Sequence, residues 1–402
     1  MRVALTKGTL WVPPTYFAVQ HALAMPDIDW HVFDLVSDIR DPAVTLPVTD
    51  AVPLVPGLSR RGREHLKWLA LARMSREVSR WDPDLVHQHA ATWSLPAVHA
   101  SRRTGIPLVT TLHGGDAYVP VRGRAAPPST ASPSTSTAPR GGIVIRAGRA
   151  WTARNLRAAD EQSRVVLAVS HHLADIAMAS GVPAGKLEVH YQGVDTDFFT
   201  PGPSSTDVAP HPGGGGDLRT VLFVGALSPL KGIRELLAAS EALAGTLPHR
   251  LRVVGAGPLA PEVESAARRL DHVTRVGPLG RDAVRDEMRA ADVLVLPTRH
   301  VAGRAEAAGL VLLESQACGT PVIANAVGGT PEMMVAGATG LATDEDDPTS
   351  LRSALRTVLS MPTDELAAMG VAARSWVVSE RSLARSVSQL RSVYASVRAA
   401  RG

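Results

Sequence analysis

The sequence predicts an α/β protein built from two doubly wound parallel-sheet domains. Three observations carry this. At 402 residues the chain exceeds what one ordinary core accommodates. Short apolar runs alternate with helical patterns along both halves, as repeated strand–helix units require. Residues 200–217 (T-P-G-P-S-S-T-D-V-A-P-H-P-G-G-G-G-D) are rich in Pro and Gly, and the alternation restarts behind them. The expected domains are therefore 1–199 and 218–379, joined by a linker at 200–217. An amphipathic helix at 380–402 closes the chain and is expected to return to the first domain.

In the first half, strands are expected at Val3–Leu5, Trp30–Leu35, Asp84–His87, Pro107–Leu112, Val165–Ser170 and Lys186–Tyr191. A long helix is expected over 58–80, where Leu66, Leu69, Ala70, Met74 and Val78 recur at helical spacing. Further helices fall near 94–104, 151–160 and 171–180. Residues 125–139 are all Ala, Pro, Ser or Thr and read as an inserted loop that buries no face. The second half places strands at 219–224, 251–254, 273–276, 293–296 and 321–324, with helices between them.

Composition excludes several classes. Hydrophobic residues make up 45% of the chain, enough for a folded protein, but aromatics only 4%, so Ala, Val and Leu must build the core. The 42 bases and 38 acids leave a net charge of +4, too little for a nucleic-acid-binding face. The start, M-R-V-A-L-T, reads as a strand rather than a signal peptide, and no long uncharged apolar stretch suggests a membrane span; a cytoplasmic location is expected. Cys318 is the sole cysteine, so an internal disulfide and multi-cysteine metal sites are excluded, and it is expected to pack as a small apolar residue.

The chemistry concentrates in residues 306–332, E-A-A-G-L-V-L-L-E-S-Q-A-C-G-T-P-V-I-A-N-A-V-G-G-T-P-E. Glu306 and Glu314 bracket Gly309 and an apolar run that opens a helix. An acid ahead of a helix start suits a polyhydroxylated, anionic ligand. Glu306 accepts sugar hydroxyls, the N–H groups of Leu310 and Val311 meet a phosphate at the positive helix end, and Glu314 takes both hydroxyls of a ribose. Upstream, V-L-F-V-G-A-L-S-P-L-K-G delivers Lys231 to a helix start, where a lysine neutralises a diphosphate. L-R-V-V-G-A-G-P holds a G-x-G after a strand, but Ala260 and Pro258 break the dinucleotide fingerprint. T-T-L-H-G-G-D sets His113 at a strand end, where a neutral imidazole presents a polar face to developing charge. His87 and His89, in H-Q-H, read as structural. Asp195-Thr196-Asp197 is a D-x-D triplet with no further clustered acids, and no metal is assigned to it. The basic residues of 58–80 (Arg60, Arg61, Arg63, Lys67, Arg73, Arg76 and Arg80) read as a solvated helix face, with peripheral membrane contact the less favoured alternative.

The two acids with seven residues between them, followed by A-C-G-T-P-V-I-A and G-G-T-P-E, resemble the E-x7-E region of retaining glycosyltransferases of family 4. The resemblance covers nearly the whole chain outside 117–150 and implies the GT-B fold, two Rossmann-like domains facing a cleft. It implies transfer of a sugar from a nucleotide diphosphate sugar, bound by the C-terminal domain, to a hydroxyl-bearing acceptor, bound by the N-terminal one, without cofactor. It marks Lys231 as the phosphate lysine, Val276 and Gly277 as backbone meeting the base, and His113 as lining the cleft near the transferred sugar. Gly8, in the loop after the first strand, is added to the donor set. Two positions depart from the family. Ala226 stands where an arginine accompanies the lysine, with Arg299 or Arg304 as substitutes, and Thr15-Tyr16 stands where a glycine pair follows the prolines. The rival readings are a sugar-nucleotide epimerase on the same fold, a non-enzymatic bilobal sugar-binding protein, and a dehydrogenase reading of Gly255-Ala256-Gly257.

Overall fold

A computed structural model describes residues 1–13, 15–53, 58–118, 143–202 and 218–400. The inserted loop expected near 125–140, most of the 200–217 linker and Pro14 lie outside the described residues. The chain divides into two compact units, Met1–Gln192 with Ser386–Gly402, and Gly193–Arg385. The division falls at Gln192, ahead of the Pro- and Gly-rich run rather than within it.

The first unit is a seven-stranded parallel sheet: β1 (Arg2–Val12), β2 (Asp29–Ile39), β3 (Val48–Asp50), β4 (Leu85–His89), β5 (Leu108–Leu112), β6 (Ser163–Ala168) and β7 (Leu187–Val189), in the order β3-β2-β1-β4-β5-β6-β7. The chain order reverses between β1 and β4. In open sheets of this kind, that switch point is where the carboxyl ends of the strands leave a crevice for a ligand. Lys7 of β1 lies in register with His89 of β4 there. One sheet face packs Ala4, Val86 and Phe33 against Met74 and Val78 of the helix Lys67–Trp81 and Val98 of the helix Leu95–Thr104. The opposite face packs Val3, Leu5 and Val109 against Val19, Met25 and, from the last helix (Leu383–Ala399), Leu390, Tyr394 and Val397.

Two expectations are corrected in this unit. Gly8 is not in a loop: β1 runs eleven residues and Gly8 is interior to it. A side chain there would overlap the Trp93 indole, since a Cβ on Gly8 would stand 2.4 Å from it. Gly8 is therefore required by the packing of β1 on Trp93. The expected helix over 58–80 is two, Arg60–Glu64 and Lys67–Trp81. Arg63 and Lys67 turn inward, each only 2% exposed. Arg63 donates to Ser37 O (3.0 Å) and Val52 O (2.8 Å) and pairs with Asp50, while Lys67 reaches Thr9 and Glu64. Two buried cations interrupt the apolar stripe, and Leu69 is left 83% exposed.

The second unit is a six-stranded parallel sheet: β8 (Thr220–Val224), β9 (Arg250–Val254), β10 (Val273–Gly277), β11 (Val293–Leu296), β12 (Val322–Asn325) and β13 (Gly340–Thr343), ordered β10-β9-β8-β11-β12-β13. All four residues of β11 are buried, as expected of a central parallel strand covered on both faces. Each such side chain contributes about 1.5–3 kcal/mol on burial. The edge strands β3 and β13 escaped the sequence because they are short and carry no apolar run. No helix among the described residues is long and apolar enough to cross a membrane.

Candidate functional site

The best-formed constellation lies in the second unit. The run after Gly309 is the helix Leu310–Ala317, whose Leu312 and Leu313 are buried. Gly309 caps it at φ +74°, a conformation that glycine takes at little cost. The N–H groups of Leu310 and Val311 open the first turn and carry no backbone partner among the described residues. Glu306, three residues ahead, is held by its backbone. Its carbonyl accepts from Gly329 N at 2.8 Å, and a Cβ on Gly328 (φ +63°) would lie 2.2 Å from that oxygen. The G-G-T-P-E segment thus clamps Glu306 from behind.

Lys231 ends the short turn Pro229–Lys231 after β8, and its Nζ pairs with Glu306 Oε2. The two side chains are 19% and 15% exposed, half-buried but open to a ligand. Expected as separate contacts, for phosphate and for sugar, they are each other's partner. Glu314 is half-buried on the same helix. Burial pushes its carboxyl up to about 7, with Arg281 pulling the other way. Cys318, one turn further, is buried and its thiol is pushed up to about 12.

The strand-end loops beneath this site are tied to each other through their backbones. Leu227 N donates to Ala256 O (2.9 Å) and Gly255 N to Gly277 O (2.9 Å). A Cβ on Gly255 would stand 1.9 Å from Gly225 O. Gly255-Ala256-Gly257 is therefore loop packing, and the dehydrogenase reading has no support. Val276, half-buried, and Gly277 end β10 beside these loops. Ala226 is exposed at the loop tip. Of its suggested substitutes, Arg299 is committed to Glu235 (2.9 Å) and Glu345 (3.8 Å). Arg304 follows the tight Val301–Arg304 turn, is exposed, and has no ion pair among the described residues. Asp195 of the D-x-D caps its own turn, accepting from Phe198 N (3.0 Å), and faces Arg281 (3.3 Å).

In the first unit His113 follows β5. Asp116 fixes the turn, accepting from His113 N (3.1 Å), Gly114 N (2.9 Å) and Ala91 N (2.8 Å). Burial holds the His113 imidazole well below the usual histidine range, so the ring is neutral. Gln192 Nε2 donates to its Nδ1 (3.2 Å), which leaves the ring proton on Nε2, directed at His89 Nδ1 (3.1 Å). Both ring nitrogens are thus engaged within the first unit. His87 is structural, bonded to Tyr394 (2.6 Å) and Thr111 (2.7 Å).

Comparison with known proteins places this geometry. A model of the family described as Glycosyltransferase Family 4 matches residues 19–198, and one described as Glycosyl transferases group 1 matches 218–361. A D-inositol 3-phosphate glycosyltransferase of Geodermatophilus obscurus is 30% identical over 353 residues, covering 80% of this chain and 73% of that protein. The chain belongs to glycosyltransferase family 4. A GDP-mannose-dependent alpha-(1-6)-phosphatidylinositol monomannoside mannosyltransferase of Mycolicibacterium smegmatis is 33% identical over 229 residues; the match covers 56% of this chain and spans 60% of the relative's length. The crystal structure of Anabaena HepE in complex with UDP and glucose superposes with a TM-score of 0.75 at 19% identity, covering 98% of this chain and 100% of that one. That likeness shows the fold, GT-B.

As a family 4 member the chain brings Lys231, Glu306 and Gly309 together, with Glu314 two turns along the same helix. Two groups went unnoticed in the sequence, Lys7 and the outward nitrogen of His89. The signal was present: in T-K-G a lysine interrupts an otherwise apolar strand, and a charged residue inside a buried strand calls for a partner.

Proposed function

We propose that the protein is a retaining glycosyltransferase that moves a hexose-like sugar from a nucleotide diphosphate sugar to an acceptor hydroxyl. The observation that carries this reading is the half-buried Lys231–Glu306 pair at the open start of the helix Leu310–Ala317. A donor diphosphate would draw Lys231 and the Leu310 and Val311 N–H groups to its oxygens. Glu306, released from the lysine, would accept hydroxyls of the sugar, and Glu314 would hold the ribose. Arg304 is the remaining candidate for the charge lost at Ala226. The acceptor would be handled by the first unit, around His113.

The chemistry asks little covalent work of the protein. The bond between the anomeric carbon and the diphosphate oxygen breaks, and a bond to the acceptor oxygen forms on the same face. The acceptor proton passes to the departing diphosphate. The side chains supply positioning and charge stabilisation.

Calorimetry against a panel of nucleotide sugars tests the reading, with GDP-mannose first because the mannosyltransferase relative depends on it. No binding by any donor would sink it. Donor converted without acceptor would indicate an epimerase, and NMR of the product reports the anomeric configuration. Activity is expected to persist unchanged in excess chelator, because Asp195 is spent on its turn and on Arg281. A rate lost to EDTA and restored by manganese would contradict this.

A further inference from the structure

At the switch point of the first sheet, Lys7 and His89 sit side by side in register on β1 and β4. Lys7 is 7% exposed and His89 3%. The Lys7 ammonium makes no hydrogen bond among the described residues; it stands 5.4 Å from the centre of the Phe17 ring. Phe17 in turn packs on His113 (4.6 Å), which stacks on His89 (5.2 Å). His89 Nδ1 accepts from His113, so its proton is on Nε2, and that N–H also has no partner among the described residues. Two donors without a hydrogen-bond partner among the described residues therefore stand together at the carboxyl edge of the sheet. An unpaired buried cation is costly to keep unless something compensates it.

The groups around Lys7 compensate it only in part. Asp116 is the nearest acid in electrostatic effect, but its oxygens already hold the His113, Gly114 and Ala91 N–H groups. Asp34 of β2 is itself pushed well above the usual carboxylate range by burial and by Asp50, which weakens it as a counter-charge. Lys67, from the helix Lys67–Trp81, is a second cation on that side, and His89 and His113 are neutral. Burial, with Lys67 adding to it, lowers Lys7 to about 8.

We propose that Lys7 and the His89 Nε2–H form an oxyanion site in the first unit, which holds a phosphate or carboxylate group carried by the acceptor. The anion bonds both donors and restores full protonation of Lys7. The site stands on the geometry alone; its assignment to the acceptor rests on the glycosyltransferase reading.

Thermal unfolding with inorganic phosphate or with acetate tests the site in wild type, Lys7→Met, Lys7→Arg and Lys231→Met, the last removing the donor-side lysine. Phosphate is expected to raise the unfolding midpoint of wild type, Lys7→Arg and Lys231→Met, and to bind about tenfold or more weakly to Lys7→Met. The response should fade as pH rises through about 8, where Lys7 loses its proton. A response to acetate as well would assign a general oxyanion site, and phosphate alone a phosphate site. Without ligand, Lys7→Met should unfold at a higher temperature than wild type at pH 7. Between about 8 and 10.5 the unfolded chain binds the extra proton, so wild type gains stability with pH and the difference closes. An undiminished phosphate response in Lys7→Met, its loss in Lys231→Met, or no response in wild type would overturn the site. Weaker GDP or UDP binding by Lys7→Met would overturn the acceptor assignment. Absence of any donor binding by wild type is a separate failure, of the transferase reading alone.

Discussion

Glu306→Gln is expected to lower kcat by roughly 10²–10³ while leaving nucleoside diphosphate affinity unchanged or tighter. The asymmetry follows from the ion pair. Glu306 neutralises Lys231, and donor binding must replace that contact with the diphosphate. Removing the carboxylate leaves the lysine unpaired and better disposed to a bare diphosphate. It also deletes the acceptor of sugar hydroxyls, which matters only once a sugar is being transferred. Lys231→Met should do the reverse, weakening the diphosphate by roughly 10–150-fold through loss of a charge-assisted contact of about 1.5–3 kcal/mol. Calorimetry with the free diphosphate, beside steady-state kinetics, separates the two. Equal loss of affinity in both variants would mean that the pair is only structural.

Glu314→Gln is expected to stabilise the empty protein and weaken nucleotide binding together. Burial pushes the carboxyl up to about 7 in the folded chain, from an ordinary 4.5. Between those values the folded state holds the proton more tightly than the unfolded one. Stability therefore falls as pH rises through this window, and the full cost of about 3 kcal/mol is present above it. Glutamine removes that cost, so its benefit should appear at pH 8 and vanish below pH 4.5. Ribose hydroxyls would donate to the ionised form, so nucleotide affinity in wild type should climb with pH up to about 7 and then level off, and the variant should show no such climb. Chemical denaturation and calorimetry across pH 5–8 check both halves. A variant no more stable than wild type at pH 8 would show that Glu314 is already compensated in the empty state.

Much of this was readable in advance because parallel strands buried on both faces write themselves as continuous apolar runs, as in V-L-V-L at β11. The E-x7-E segment was readable because its spacing, helix start and trailing glycines are local. What escaped involves partners far apart in sequence. Lys231 and Glu306 meet across seventy-five positions, and nothing in either segment announces the other. Gly8 looked like a turn because the indole that requires it belongs to Trp93. Within 58–80, Arg63 turns to a carbonyl of β2 and to Asp50 of β3, and Lys67 to the Thr9 hydroxyl of β1, contacts that a periodicity count treats as solvent-facing charge. The donors of Lys7 and His89 come together only where β1 and β4 lie side by side.

The last helix has a consequence for synthesis. Leu390, Val393, Tyr394 and Val397 fill one face of the first unit's sheet, and Tyr394 bonds His87 on β4. In chain order these residues come after the whole second unit. The first unit cannot close its core as it emerges, so the chain departs from the usual order in which the leading domain folds first. The second unit is complete by Arg385 and is free to fold before it. A nascent chain halted ahead of Leu390 should be cut by protease throughout residues 1–192 and resist it across the second unit.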